Sequence, residues 1–393
     1  MELKNNNIRY FLMQGCYWAL SGIIFGFTTV YLQEKQYTNY QIGIIFAMGN
    51  FFGFVAQPLI AVHIDKSRST ALLRYILSTA AISLVLMLGV LFMPSACLPL
   101  SAAFVLLIGG NILLQPLCIS LCFYLETFGS KINFSAARAV GSLSYGLATV
   151  VLGLLVERVS ASAVPLSYII ITALFGALAL SYTLGAKPRE TTKEAAVEVS
   201  EKPSGIFEFL KENKRFTFFL LGTSLLYFTH SLLGNFMIEF VRNVGGDSSD
   251  MGSILAFMTL SEIPAMLLFS KLSRRFSCTA LLRFAVIMFT LKELMIYLAG
   301  SVAMFYAAEA LQALSFAIFV PASVRYADEV IEKRNSTKGQ TFITAVISMA
   351  SIFASIIGGI LLDGAGAKPA LLVGVIVSAA GTFVMLGAIE KAK

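Results

Sequence analysis

Thr70-Ala71-Leu72-Leu73-Arg74-Tyr75 returns 209 residues later as Thr279-Ala280-Leu281-Leu282-Arg283-Phe284, and the same offset carries Gly43 onto Gly252. Six matching positions in leucine-rich sequence carry little weight alone. Here the match extends over both ends of a pair of apolar segments, and duplication explains that better than chance. The chain therefore reads as two related halves.

Working outward from the repeat, each hexapeptide opens a long apolar run. Hydrophobic residues make up 57% of the 393 positions and charged residues 13%, about half the charge of a soluble domain. A spanning helix needs about 20 largely apolar residues. Twelve segments are read as spans: 10–32, 42–62, 71–93, 98–123, 139–156, 164–184, 216–240, 251–272, 281–299, 302–324, 342–362 and 369–389. The fifth is short and must begin earlier; the fourth is long enough to tilt. None shows the alternation of a barrel strand. The fold class expected is an all-α membrane protein of twelve transmembrane helices in two pseudo-symmetric six-helix bundles. The bundles are residues 1–186 and 216–393, joined by a polar linker, 187–215, that holds Pro188, Pro203 and Gly205 and ends in a short surface helix.

The net charge of +7 belongs to topology rather than to nucleic acid. Of 29 Lys and Arg, 24 fall on one side of the alternating loops, four (Lys35, Arg158, Arg242, Lys368) on the other, and Lys292 lies within a segment. Loops rich in Lys and Arg are cytoplasmic, so both termini and the linker are expected to face the cytoplasm of an inner-membrane protein. The five cysteines lie in or beside apolar runs without metal-ligand spacing to histidine, and read as small buried hydrophobes. The first apolar run has spanning length and no small-residue cleavage site, so no removable signal is expected.

Ionisable groups at the bilayer centre cost about 2.5–3.5 kcal/mol or more and point to function. The first half has few, Glu126 closing the fourth span and Arg138 opening the fifth; Gln14, Asn50, Gln57, Asn111 and Gln115 read as helix–helix glue. The second half carries His230, Glu262, Lys292, Glu293 and Glu309. Three carboxyls face one lysine and one histidine, so even a protonated His230 leaves a deficit of one charge, and one carboxyl is expected to be neutral. A carboxyl poised between states suits proton coupling. The competing reading is that these groups are structural ion pairs, Glu293 beside Lys292 above all. Pro58, Pro116, Pro264 and Pro321 are expected to bend their helices.

Gln41-Ile-Gly-Ile-Ile-Phe-Ala47, Gln57-Pro58-Leu59 and Ile64-Asp65-Lys66, with Asn133-Phe134, Arg138, Gly141 and Tyr145, resemble the major facilitator superfamily, and within it the lactose-permease-like oligosaccharide–proton symporters and their nucleoside-transporting relatives. The likeness runs nearly end to end. It implies the major facilitator fold, with the solute bound between the halves near mid-membrane. It implies that Asp65 and Lys66 latch helix ends, although Ala61 and Arg68 replace the loop's two glycines. It further implies that Glu126, Arg138, Tyr145, Asn235 and Glu262 bind substrate: a carboxylate and a guanidinium for hydroxyls, and an aromatic for the apolar face of a ring. Helix ten departs from the family, with Glu309, Gln312 and Ser315 where a lysine, a histidine and a glutamate are usual. The charge pair there is expected to be inverted, His230 with Glu309, and coupling to fall on Glu262, Glu309, His230, Lys292 and Glu293.

The function expected is a proton-coupled symporter of a small polar solute, a sugar or oligosaccharide first, acting as a monomer by alternating access. A nucleoside symporter, an uncoupled uniporter and a multidrug–proton antiporter are the alternatives. No cofactor or metal is implied. A membrane enzyme would need a nucleophile or metal constellation, and His63 and His230 are the only histidines, on different elements.

Overall fold

A computed structural model of the chain describes residues 2–66, 71–127, 132–183, 206–331 and 336–389. All regular structure in these residues is helical. The first half comprises α1 (Glu2–Glu34), α2 (Asn39–Lys66), α3 (Ala71–Val90), α4 (Leu98–Thr127), α5 (Phe134–Arg158) and α6 (Ala163–Thr183). The second opens with a surface helix, α7 (Ile206–Glu212), at the end of the linker. It continues with α8 (Lys214–Asn235), α9 (Met237–Asn243), α10 (Ser248–Arg275), α11 (Cys278–Leu298), α12 (Val302–Glu309), α13 (Phe316–Val330), α14 (Ser336–Ala365) and α15 (Ala367–Ala388).

Eleven of the described helical stretches are long and apolar enough to cross a membrane. The helix outside that group, α11, packs among the others but carries Arg283, Lys292 and Glu293 within 21 residues. With it the twelve expected spans are present. Two of them are discontinuous: α8 gives way to α9 at Phe236, and α12 passes into a 3₁₀ turn at Ala310–Ala313 before α13 resumes. The fifth span begins at Phe134, where the Asn133 side chain accepts the Ala136 amide and caps the helix.

Within the first half α1 packs on α4, α5 and α6, and within the second α8 packs on α14 and α15. Between the halves there are two long seams, α2 against α14 and α5 against α10. The repeated glycines sit in them. A Cβ on Gly43 would strike the Ser355 carbonyl of α14, and one on Gly252 would strike the Thr149 carbonyl of α5. Only hydrogen in place of a side chain lets backbones approach so closely.

Both seams lie toward one end of the molecule, the end of the 35–38 loop. There Asp363 accepts the Asn39 and Tyr40 amides (3.0 and 2.8 Å), capping α2 from the opposite half. Gln33 donates to Asn39 and Glu239 and accepts from Arg242 (2.8 Å). Toward the other end the halves part: the buried residues of α10 all fall between Ser248 and Ala256, although the helix runs on to Arg275.

Candidate functional site

The parted halves enclose a cavity of about 240 Å³. Phe25, Gly26 and Tyr145 line it from the first half, and His230, Asn235, Met258, Lys292, Glu309 and Ser351 are among the residues facing them from the second. Irregular backbone at membrane depth is tolerated where it borders such a cavity, and both helix breaks lie beside it.

The break after α12 positions a chain of polar contacts across three helices. Glu309, fully buried, is the last residue of α12, where unpaired carbonyls concentrate negative charge. The Lys292 ammonium of α11 compensates it, 3.3 Å from Oε2. The same Nζ donates to Gln312 Oε1 at 2.9 Å, and Gln312 Nε2 donates to Glu262 Oε1 of α10 at 3.0 Å. Acceptor and donor alternate along the chain, so the amide lies between an ammonium and a carboxylate with its dipole satisfied at both ends.

The expected partner of Glu309 was His230, and the structure differs. His230 stacks on Phe316 (4.9 Å between centroids, 18° between planes), and Nδ1 has no hydrogen-bond partner among the described residues. Lysine is the better counter-ion here, because α11 and α12 form a tight hairpin that faces Lys292 toward Glu309. Glu293 is buried on α11, and its Oε1 is likewise unpartnered.

Of the residues expected to bind solute, Tyr145 and Asn235 reach the cavity wall. Asn235 is already engaged: Nδ2 donates to Ser355 Oγ at 2.8 Å, and its carbonyl accepts from Thr29 of α1. Arg138 lies with its guanidinium 3.7 Å from the Trp18 ring centre and donates to Ser142 Oγ at 3.2 Å. Its charge and that of Glu262 are near enough to interact across the gap, and Glu262 acts on Tyr145 in the same way. Glu126 stands apart, exposed at the end of α4, and is not brought to Arg138. The side chains of Asp65 and Lys66 lie outside the described residues.

Sequence reasoning missed the role of two residues. Trp18, the single tryptophan, reads as packing in sequence, whereas it carries the Arg138 guanidinium in a cation–π contact. The available signal was Gly141, whose missing side chain makes room for the Trp18 ring. Gln312 shares a helix face with Glu309 three residues earlier, and that periodicity was the signal for it. No group of three or more potential metal ligands occurs among the described residues.

The profile of the MFS_1-like family matches residues 5–373. The chain belongs to this family. This chain is a multi-pass major facilitator transporter and not an enzyme. It is 24% identical to a maltose permease of Geobacillus stearothermophilus over 351 residues, covering 87% of the chain and 84% of that protein. The family fold is seen in a crystal structure of the nucleoside transporter NupG, with a TM-score of 0.80, 15% identity, and coverage of 99% of this chain and 98% of that one. A bacterial homologue of the iron transporter ferroportin, in an inward-facing state, matches with a TM-score of 0.71 at 11% identity over 98% of each chain.

Proposed function

We propose that this transporter is a proton-coupled symporter of an uncharged polar solute, a sugar or oligosaccharide first and a nucleoside second. The observation that carries the reading is the polar chain Glu262–Gln312–Lys292–Glu309, whose Lys292 and Glu309 line the cavity between the halves. The cavity-lining charges, Lys292 and Glu309, compensate each other, which leaves no free counter-charge for a charged solute. Tyr145 and Phe25 offer aromatic faces to a ring, while Arg138 and Glu262, one on each half, offer donors and acceptors to hydroxyls. The maltose permease likeness favours a sugar, and the shape shared with NupG keeps the nucleoside reading alongside it.

In this reading residues 1–186 and 216–393 rock about the central site, acting as a monomer in the inner membrane, with the linker and both termini cytoplasmic. The sealed end is then the outer one, and the conformer is open to the cytoplasm. Alternating access requires the Asp363 and Gln33 contacts to break as Asp65 and Lys66 form theirs at the opposite end. Protonation within the cluster of Glu262, Glu309, His230, Lys292 and Glu293 couples that movement to the proton gradient.

The test is a lightly buffered suspension of de-energised cells that express the protein, to which glucose, maltose, uridine and other neutral solutes are added in turn. Alkalinisation of the medium with one solute and not the others is expected, and Arg138→Ala should abolish it. Solute uptake with no pH change would overturn the coupling, and an unchanged response in Arg138→Ala would remove that residue from the binding site.

A further inference from the structure

Of the membrane-depth carboxyls Glu262, Glu293 and Glu309, Glu293 is the one with no hydrogen-bonded or ion-paired partner among the described residues. It is 1% exposed, its Oε1 lacks a partner among the described residues, and it does not line the cavity. Glu262 is held by Gln312 and interacts with Arg138, and Glu309 is held by Lys292. Consecutive helix residues point about 100° apart, so Lys292 forms its pair with Glu309 and not with its neighbour in sequence.

The surroundings of Glu293 are otherwise neutral. Lys292 and Glu309 are the charges that act on it. On the packed helices, α8 brings His230, and α15 brings Ser378 and Thr382, whose hydroxyls bond Thr290 one turn away. The ionisable groups of α13, Arg325, Asp328 and Glu329, sit at its far end. An ionised, unpaired carboxylate in such a place costs several kcal/mol, and the group keeps its proton instead. Ser315, on the same span as Glu309, is fully buried and donates to the Leu311 carbonyl at 2.8 Å. A hydroxyl there cannot carry a proton through a cycle.

We propose that Glu293 carries the coupled proton and that Lys292 passes between Glu309 and Glu293 as the transporter turns over. This rests on the proton-coupled reading above. In the conformer described, Lys292 neutralises Glu309 and Glu293 is the neutral acid. Loosening the Lys292–Glu309 pair lets the ammonium, on its flexible four-carbon stem, move between the two carboxyls so that Glu309 and Glu293 share it and neither is left bare. The O–H bond of Glu293 then breaks, the electron pair stays on the carboxylate beside Lys292, and the proton passes to water on the open side. The return step restores the proton to Glu293 and Lys292 to Glu309, so one proton crosses per cycle.

Infrared spectroscopy of the purified protein at neutral pH reads the protonated carboxyl directly through its C=O stretch. The wild-type band is expected to vanish in Glu293→Gln and to persist in Glu262→Gln. It should also vanish in Glu309→Gln, because Lys292 then rests beside Glu293. A band that survives in Glu293→Gln, or its absence from the wild type, overturns the assignment. In reconstituted vesicles Glu293→Gln should keep solute exchange and lose proton-driven accumulation, with Glu293→Asp restoring part of it. Accumulation at the wild-type level in Glu293→Gln also overturns the proposal. Absence of proton movement in the wild type refutes the coupled reading instead, and the infrared result separates the two failures.

Discussion

The interiors of the two halves solve the same problem with different chemistry. In the first half the buried polar contacts are neutral. Gln14 donates to Tyr10, Tyr10 donates to the Cys118 carbonyl, and Ser21 bonds Asn111, so α1 and α4 are stitched without a charge. In the second half the corresponding depth holds Lys292, Glu309, Gln312 and Glu262. Neutral bonds between spanning helices are individually weak and forgiving, since each group finds a replacement partner. A buried ion pair is neither, because removing one member strands the other. The first half is held by neutral contacts and the second by charged ones, although the two share a sequence repeat.

Breaking each interior in turn measures that difference. The largest effect is expected from Glu309→Ala, which breaks the buried pair and leaves the Lys292 ammonium to Gln312 and to a Glu293 that must give up its proton to become its partner. A loss of about 3–5 kcal/mol should appear as a lower unfolding midpoint in mixed micelles. Replacing both partners together, Lys292→Met with Glu309→Leu, should recover most of that stability, because no stranded charge remains. Recovery of less than half would mean that the pair does more for the fold than neutralise charge.

The smaller effect belongs to the first half. Asn111→Ala removes the acceptor of Ser21, but the Ser21 hydroxyl keeps the Tyr17 carbonyl at 3.0 Å as an alternative. The expected cost is about 0.6 kcal/mol, the average for hydrogen bonds between membrane helices, read in the same unfolding assay. A cost equal to that of Glu309→Ala would erase the contrast between the halves.

The sequence exposes one side of this comparison better than the other. Twelve apolar runs and the hexapeptide repeat reveal the fold because a spanning helix must be long and apolar. The charges of Arg283, Lys292 and Glu293 set α11 apart from the other spans. The break between α12 and α13 is hidden, since no proline or glycine lies between Glu309 and Ser315; the nearest proline, Pro321, is inside α13. Helical periodicity places Glu309, Gln312, Lys292 and Glu262 on inward faces, but pairing depends on rotamers and on the register of neighbouring helices. For that reason Lys292 took the partner expected for His230. Glu126 marks the same limit in the first half, since a spacing that resembles a family motif did not bring its carboxyl to Arg138.

The paired replacement also serves the central claim, that the charged interior of the second half converts a proton gradient into solute movement. Vesicles containing purified protein would be given an inward proton gradient and the solute identified in cell suspension. Wild-type protein is expected to accumulate that solute above its external concentration. The variant carrying Lys292→Met and Glu309→Leu is expected to equilibrate it without accumulation. Accumulation by that variant at the wild-type level would contradict the account, because a site without those charges would then still couple the two movements.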